Sequence, residues 1–312
     1  MRFLIKQTTL RSPASTNGVG LHTAAPVNIR LVPAPPNTGY IFVRTDLNDF
    51  EIPASVEWIA HCSYATTLMR TGVMLSTVEH LLSALRGAGI DNVFIELDNL
   101  ELPIMDGSAA GFTELIDEAG TVEQEAPRKA LQIRERVEIV EGDRFMAIEP
   151  LDRFEINCTI DFPHPMIGSQ NFVVDVAGSN FARLISKART FGFTAEIDSL
   201  RKANLAQGGS LENAIVLTPD GMLNETPLRF SDEFARHKIL DIIGDLALLG
   251  MPVLGGVTAV KSGHVIHAAL MTKLLRQRSA WEVIELDSQP KPSWRSLAQP
   301  AAKSELVAAG SG

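Results

Sequence analysis

Cysteine is scarce: Cys62 and Cys158 are the two in 312 residues, and neither belongs to a CxxC pair. That argues against a disulfide framework and a cysteine-bound zinc site, and a reducing cytoplasm is the expected compartment. A basic excess is lacking as well. Against 28 Lys and Arg stand 37 Asp and Glu, a formal net charge of -9, so non-specific nucleic-acid binding is not expected and only a local basic pocket remains open. No run approaches the roughly 20 apolar residues of a membrane span. The start MRFLIKQTTLRS has no apolar core for a signal peptide. Nucleotide loops are missing too: GGS at 208–210 lacks the lysine and spacing of a P-loop, and GVGLH at 18–22 is no dinucleotide fingerprint. Any bound metal must be held by histidine and carboxylate.

What is present describes a globular protein with real cores, 45% hydrophobic and 21% charged, and the length suits two domains. Alternation predicts strands over 27–32 and 40–44, joined by the turn-rich PAPPNTG. Apolar spacing predicts a helix over 77–86, closed by Gly87 and Gly89, then a strand over 92–98 and a helix over 109–119. EQEAPR at 123–128 reads as a linker. Beyond it, strands are expected over 131–140, 144–150 and 154–161 and a helix near 181–187. A long helix over 232–249, a strand over 255–260 and a helix over 264–276 complete the half. The Pro-, Ser- and Ala-rich end is expected to fray. The predicted division is 1–126, 127–290 and a flexible tail, 291–312.

The halves share a pattern. EHLLSALRGAGIDNVFIEL, from Glu79, runs parallel to RHKILDIIGDLALLGMPVLGGVTAV, from Arg236, with histidine second, an apolar helix, glycine and a strand. Each is followed by a turn and a helix. A duplication would place His80 and His237 at equivalent points and bring them together at the domain interface.

His237 and Asp241, four residues apart, share one helix face with Asp245. A histidine and a carboxylate one turn apart can bind one metal, although HxxxD alone more often marks an exposed polar stripe. Here Ile239, Leu240, Ile242, Ile243 and Leu246 load the other faces, so the stripe needs partners. In STVEHLL, Ser76 and Glu79 match a capping box, and His80 could be a packed first-turn histidine. The competing reading makes His80 a ligand and Glu79 a general base. In KSGH, His264 lies at a strand-to-helix turn, exposed at a sheet end or an ordinary first-turn residue. A carboxylate such as Asp245 would be needed to keep it charged there. Thr190, in ARTFGF, could donate to an oxyanion or simply bond local backbone.

At these residues a resemblance becomes specific. STVEHLLSALRGAGIDNVFIEL, PIMDGSAA, ARTFGF, LRFSDEFARHKILDIIGDL and KSGH, with GVGLHT and VRTDL upstream, resemble the UDP-3-O-acyl-N-acetylglucosamine deacetylases of lipid A biosynthesis, in that family's order. The resemblance spans roughly 5–285. It implies an α+β fold of two similar domains, each a β-sheet layered with helices, the helices of both packed together between two outer sheets. It also implies one Zn²⁺ held by His80, His237 and Asp241, with Glu79 as general base and His264 as catalytic histidine oriented by Asp245. Thr190 matches the hydroxyl near the oxyanion and Lys238 a lysine at the rim. Asp161 and Phe162 match a uridine-contacting pair, and Lys261 a residue near the diphosphate. Inserts are expected near 46–70 and 191–217, the second forming an acyl passage lined by Leu21, Phe191, Phe193, Ala206 and Val216. The implied partner is the acylated UDP-sugar, with no nucleic acid, no membrane-integral segment and a monomeric chain.

Ala24 stands where the family usually has glycine, Gln207 where the position is often apolar, and Thr194 for a commonly larger residue. These departures bear on a turn and on the passage. The competing functions are a zinc deacetylase of another N-acetylated sugar or peptide and a non-catalytic binder of nucleotide-sugar lipids; for the latter, a general base would have no use.

Overall fold

The computed structural model describes residues 3–288; the tail expected from 291 lies outside them. The first half runs β1 (Phe3–Leu4), β2 (Lys6–Leu10), β3 (Ala14–Val19), β4 (Pro26–Pro33), β5 (Tyr40–Arg44) and β6 (Phe50–Pro53). An inserted sheet follows, β7 (Ile59–His61), β8 (Thr67–Arg70) and β9 (Val73–Leu75), then α1 (Glu79–Gly87), β10 (Val93–Leu97), α2 (Ala110–Ala119) and β11 (Thr121–Pro127). The second half runs β12 (Lys129–Ile133), β13 (Val137–Glu141), β14 (Arg144–Glu149), β15 (Phe154–Phe162) and β16 (Gly168–Asp175). Its insertion holds β17 (Phe191–Phe193), α3 (Thr194–Lys202), β18 (Ile215–Thr218) and β19 (Gly221–Met222). Then come α4 (Glu233–Leu246), β20 (Val253–Val260), α5 (His264–Arg276), β21 (Trp281–Glu285) and β22 (Asp287–Ser288), the last pairing with β1.

The two halves are wired alike. One sheet has the order β3-β4-β10-β5-β6; the other joins β13, β14 and β20 in a row and continues from β20 through β15 to β16. In both, the central strand is antiparallel to its neighbour on one side and parallel on the other. An antiparallel pair flanks each sheet, β2 with β11 and β12 with β21. The fold is thus two pseudo-symmetric α+β domains with their helices between the outer sheets. Strand alternation explains the layering: β20 buries every second residue and β10 buries Val93, Ile95 and Leu97.

The centre is the contact between α1 and α4. In α4 every residue except Arg236 and Lys238 is buried, as its apolar loading suggested. The helices touch through backbone: a Cβ on Gly244 would lie 2.0 Å from the carbonyl oxygen of Glu79. Glycine is required there by close approach.

Four local expectations change. Ser76 and Glu79 form no capping box, since α1 has no side-chain cap; Ser76 Oγ meets Thr67 Oγ1 and Glu79 accepts from Thr66 N–H instead. Thr77, at φ 59, turns the chain into α1, so the helix starts at Glu79 rather than 77. The 123–128 linker is instead the end of β11, whose polar side chains hid a pairing with β2; Pro127 stands at the strand end, where a missing N–H is tolerated. The 131–140 strand is broken between β12 and β13. Ala24 keeps the turn in the left-handed region at φ 57, with its N–H on the Gly20 carbonyl.

Gly244→Ala should destabilise the protein by about 1–3 kcal/mol through overpacking. An exposed helix glycine would show the opposite sign. Urea unfolding checks it: equal or higher stability would mean the helices do not meet at this point.

Candidate metal centre and active site

α4 carries His237 and Asp241 one turn apart, and α1 brings His80 across the crossing. Their rings meet edge-on, with centroids 5.1 Å apart. His237 Nε2 and His80 Nε2 lie 3.5 and 3.8 Å from Asp241 Oδ1, too far for hydrogen bonds. The three ligand atoms fall within 4.8 Å of one another, and all three residues are buried. His237 Nδ1 donates to the Ala188 carbonyl at 3.0 Å, which fixes the tautomer and leaves Nε2 with its lone pair toward Asp241. Burial, and then His237, pushes His80 down to about 3, and burial lowers His237 despite Asp241. Burial opposes the Asp241 charge, yet Lys238, 2.8 Å from Oδ2, and His264 hold its carboxyl well below the usual range. Two neutral imidazoles and an anion, with the His237 Nε2 lone pair turned toward Asp241, form a donor set that fits a zinc ion.

Two proton-transfer candidates flank the trio. Glu79 is buried, and its Oε2 accepts the Thr66 N–H at 3.1 Å. Burial, with Asp245 and Asp241 adding, pushes its carboxyl up to about 7 against the pull of His264. His264 begins α5, not open at a sheet end as expected but with its side chain only 10% exposed, and Nδ1 donates to Asp245 Oδ2 at 2.7 Å. Burial works against its charge, but Asp245, Glu79 and Asp241 raise it to about 9. Burial also opposes the Asp245 charge, and His264 and His267 hold that carboxyl at about 2.

Asp245, His264 and His267 also lie close enough to suggest a second metal group. Both Nδ1 atoms are instead 2.7 Å from the same oxygen, Asp245 Oδ2, so both carry protons and neither offers that lone pair. The chain has one metal centre of this kind among the described residues.

The remaining expected residues fall on two surfaces. Asp161, Phe162, Lys238 and Lys261 line a cleft of 460 Å³ with Arg144, which sequence reading missed. There Lys261 Nζ lies 2.9 Å from Asp161 and 3.1 Å from Asp143. Leu21, Thr190, Phe191, Ala206 and Val216 line a narrower cavity of 160 Å³. Phe193 does not join that wall, because its ring packs against Phe162 and His164, each at 5.8 Å. Gln207 is exposed and its amide bonds the Arg201 carbonyl, so that departure leaves the cavity wall untouched. Ile197 and Leu200 of α3 also line the cavity; their i,i+3 spacing was the available signal. Also missed were Thr66, which bonds Asp245, and His267, whose H-x-x-H spacing from His264 places both on one face of α5.

Residues 7–276 match the family model described as UDP-3-O-acyl N-acetylglycosamine deacetylase. The chain belongs to this family. A relative from Myxococcus xanthus bearing the name UDP-3-O-acyl-N-acetylglucosamine deacetylase is 52% identical over 279 residues, 89% of each chain. Proteins of the same name from Coxiella burnetii and Hahella chejuensis are 48% and 47% identical, covering 90% and 91% of this chain and 94% and 95% of theirs. With this donor set in a chain of that family, zinc is the cofactor, one per chain.

His237→Ala should remove a ligand and leave α4 in place. Bound zinc after dialysis should fall from one per chain to near zero with the circular dichroism kept, read by elemental analysis. Full zinc retention would place the metal elsewhere.

Proposed function

We propose that this chain hydrolyses the N-acetyl amide of UDP-3-O-acyl-N-acetylglucosamine, giving acetate and UDP-3-O-acyl-glucosamine, the committed step of lipid A biosynthesis. The supporting observation is the His80–His237–Asp241 trio set between a buried carboxylate, Glu79, and a hydrogen-bonded Asp245–His264 pair. A zinc ion held by that trio supplies Lewis acidity, polarising a carbonyl oxygen and acidifying water. Glu79, buried and with raised proton affinity, takes the proton of the attacking water. His264, kept charged by Asp245, protonates the glucosamine nitrogen as the C–N bond breaks. The Thr190 hydroxyl donates to the oxygen that becomes negative, and Lys238 adds positive charge at the rim.

In this reading the 460 Å³ cleft takes the nucleotide: Phe162 stacks on uracil, Asp161 bonds it, and Lys261 faces the diphosphate. The apolar cavity beside Thr190 takes the acyl chain along Leu21, Phe191, Ala206 and Val216. We place the domain division between 126 and 127, so that Glu79 and His80 come from one domain and the other named catalytic groups from the second. All belong to one chain, and a monomer suffices. No helix among the described residues is long and apolar enough to cross a membrane, and the reading places the enzyme in the cytoplasm with its nucleotide-linked substrate.

Glu79→Gln keeps shape and the acceptor for Thr66 N–H but cannot take a proton. kcat should fall roughly 10²–10⁴-fold with zinc content and melting behaviour kept. Near-normal deacetylation by mass spectrometry would remove Glu79 as the base.

The pH profile tests the acid. His264 must be protonated, so activity should be lost as pH rises through its pKa. A cation at the trio repels the imidazolium, placing the basic limb between the ordinary 6.5 and about 9. His264→Gln should lower kcat and abolish that limb. An unchanged limb would assign the acid to another group.

A further inference from the structure

Thr66 lies in the first-domain insertion, just before β8, with 1% exposure. Its backbone N–H donates to Glu79 Oε2 at 3.1 Å. Its hydroxyl donates to Asp245 Oδ1 at 2.6 Å and lies 3.3 Å from His264 Nδ1. A carboxylate can only accept, so the hydroxyl proton goes to Asp245, and toward His264 the same oxygen is an acceptor. Its carbonyl accepts from Val78 N–H at 3.4 Å, tying this loop to the start of α1. One residue of the first domain therefore touches the carboxylate beside the metal trio, through its backbone, and both members of the second domain's acid pair, through its side chain.

The Asp245 carboxylate shows what the hydroxyl contributes. Oδ2 takes the Nδ1–H of His264 and of His267, and Ser262 Oγ lies 3.0 Å from His267 Nε2. Thr66 supplies the donor to Oδ1. With both oxygens engaged, the carboxylate plane is fixed, and with it the direction of the His264 ring. Without the hydroxyl, Oδ1 would be a buried charged oxygen lacking that donor, a costly state that favours rotation of the carboxylate.

We propose that Thr66 is a positioning residue that sets the general base and the general acid relative to each other across the domain interface. Its backbone arm holds Glu79, and its hydroxyl arm holds the Asp245–His264 pair. The inference rests on the roles given above to Glu79, Asp245 and His264. It explains how groups on separate domains keep one distance through turnover, since both are tied to the same residue rather than to flexible surroundings.

Thr66→Val is nearly isosteric and removes only the hydroxyl, while Thr66→Ser keeps it. The Val variant should lower kcat roughly 10- to 100-fold, the cost of a misaligned group. KM should stay within about threefold and zinc at one per chain. The Ser variant should restore kcat to within about threefold. In an Asp245→Asn background, adding Thr66→Val should cost less than about threefold more, because the hydroxyl acts through that carboxylate. If Val fails to fold, Thr66→Ala carries the same expectation, with a thermal melt on each preparation. Wild-type kcat in the Val or Ala variant, equal loss in Ser and Val, or losses that multiply with Asp245→Asn would overturn the inference alone. Wild-type kcat in Asp245→Asn itself would overturn the acid assignment and the inference with it.

Discussion

The backbone contact between α1 and α4 is the constraint on which the rest depends. With the Glu79 carbonyl where a Cβ of residue 244 would stand, the first turn of α1 is pressed onto the later turns of α4. α4 presents His237, Asp241 and Asp245 on one line, one helical turn between each. Those residues alone make a polar stripe in an apolar helix, with no function and a desolvation cost. The tight crossing adds His80 opposite Asp241 and Glu79 beside it. The glycine at 244 is thus as much part of the centre as the ligands, although it touches no reactant.

The shared wiring of the two domains gives this crossing a two-fold character. His80 and His237 occupy corresponding places on corresponding helices, each preceding a central strand flanked in the same order. One metal site on a pseudo-two-fold axis needs only one histidine from each copy. The two domains differ around it. In the second domain the turn before α5 ends in His264, which is paired with Asp245. The corresponding turn before α2, DGS at 106–108, reaches across to the second domain, where the Gly107 carbonyl accepts the Thr190 N–H at 2.7 Å. The same structural position serves as a chemical group in one copy and as a support in the other.

Legibility in the sequence followed the range of the interaction. Alternating strands, the long apolar helix and the His237–Asp241 spacing depend on neighbours within a turn or two, and the ordered motifs carried the family. Ser76-x-x-Glu79 was ambiguous because a capping box and a buried carboxylate bonded elsewhere leave the same local trace; only the contacts of Ser76 with Thr67 and of Glu79 with Thr66 separate them. β11 was hidden because its partner, β2, lies more than a hundred residues away and its exposed side chains are those of a loop. α3 buries no residue fully, since its apolar side faces a cavity and reads like an ordinary surface helix. Thr66 left no pattern at all, as one threonine of a TT pair contacts groups 13, 179 and 198 residues distant.

Three buried carboxylates crowd this site, and their separate fates follow from their partners. Asp241 has the Lys238 ammonium on one oxygen, so it stays anionic. Asp245 takes a hydroxyl and two N–H donors, which stabilise its charge and let it hold His264 in the protonated state. Glu79 has one backbone N–H and two anionic neighbours. Burial is left largely uncompensated there, and its proton affinity rises to about 7. A base needs that affinity, since a carboxylate at its ordinary value would bind the water's proton too weakly to draw it away. The separate protonation of the three therefore comes from what faces each: an ammonium beside Asp241, three donors on Asp245, and two anions beside a buried Glu79.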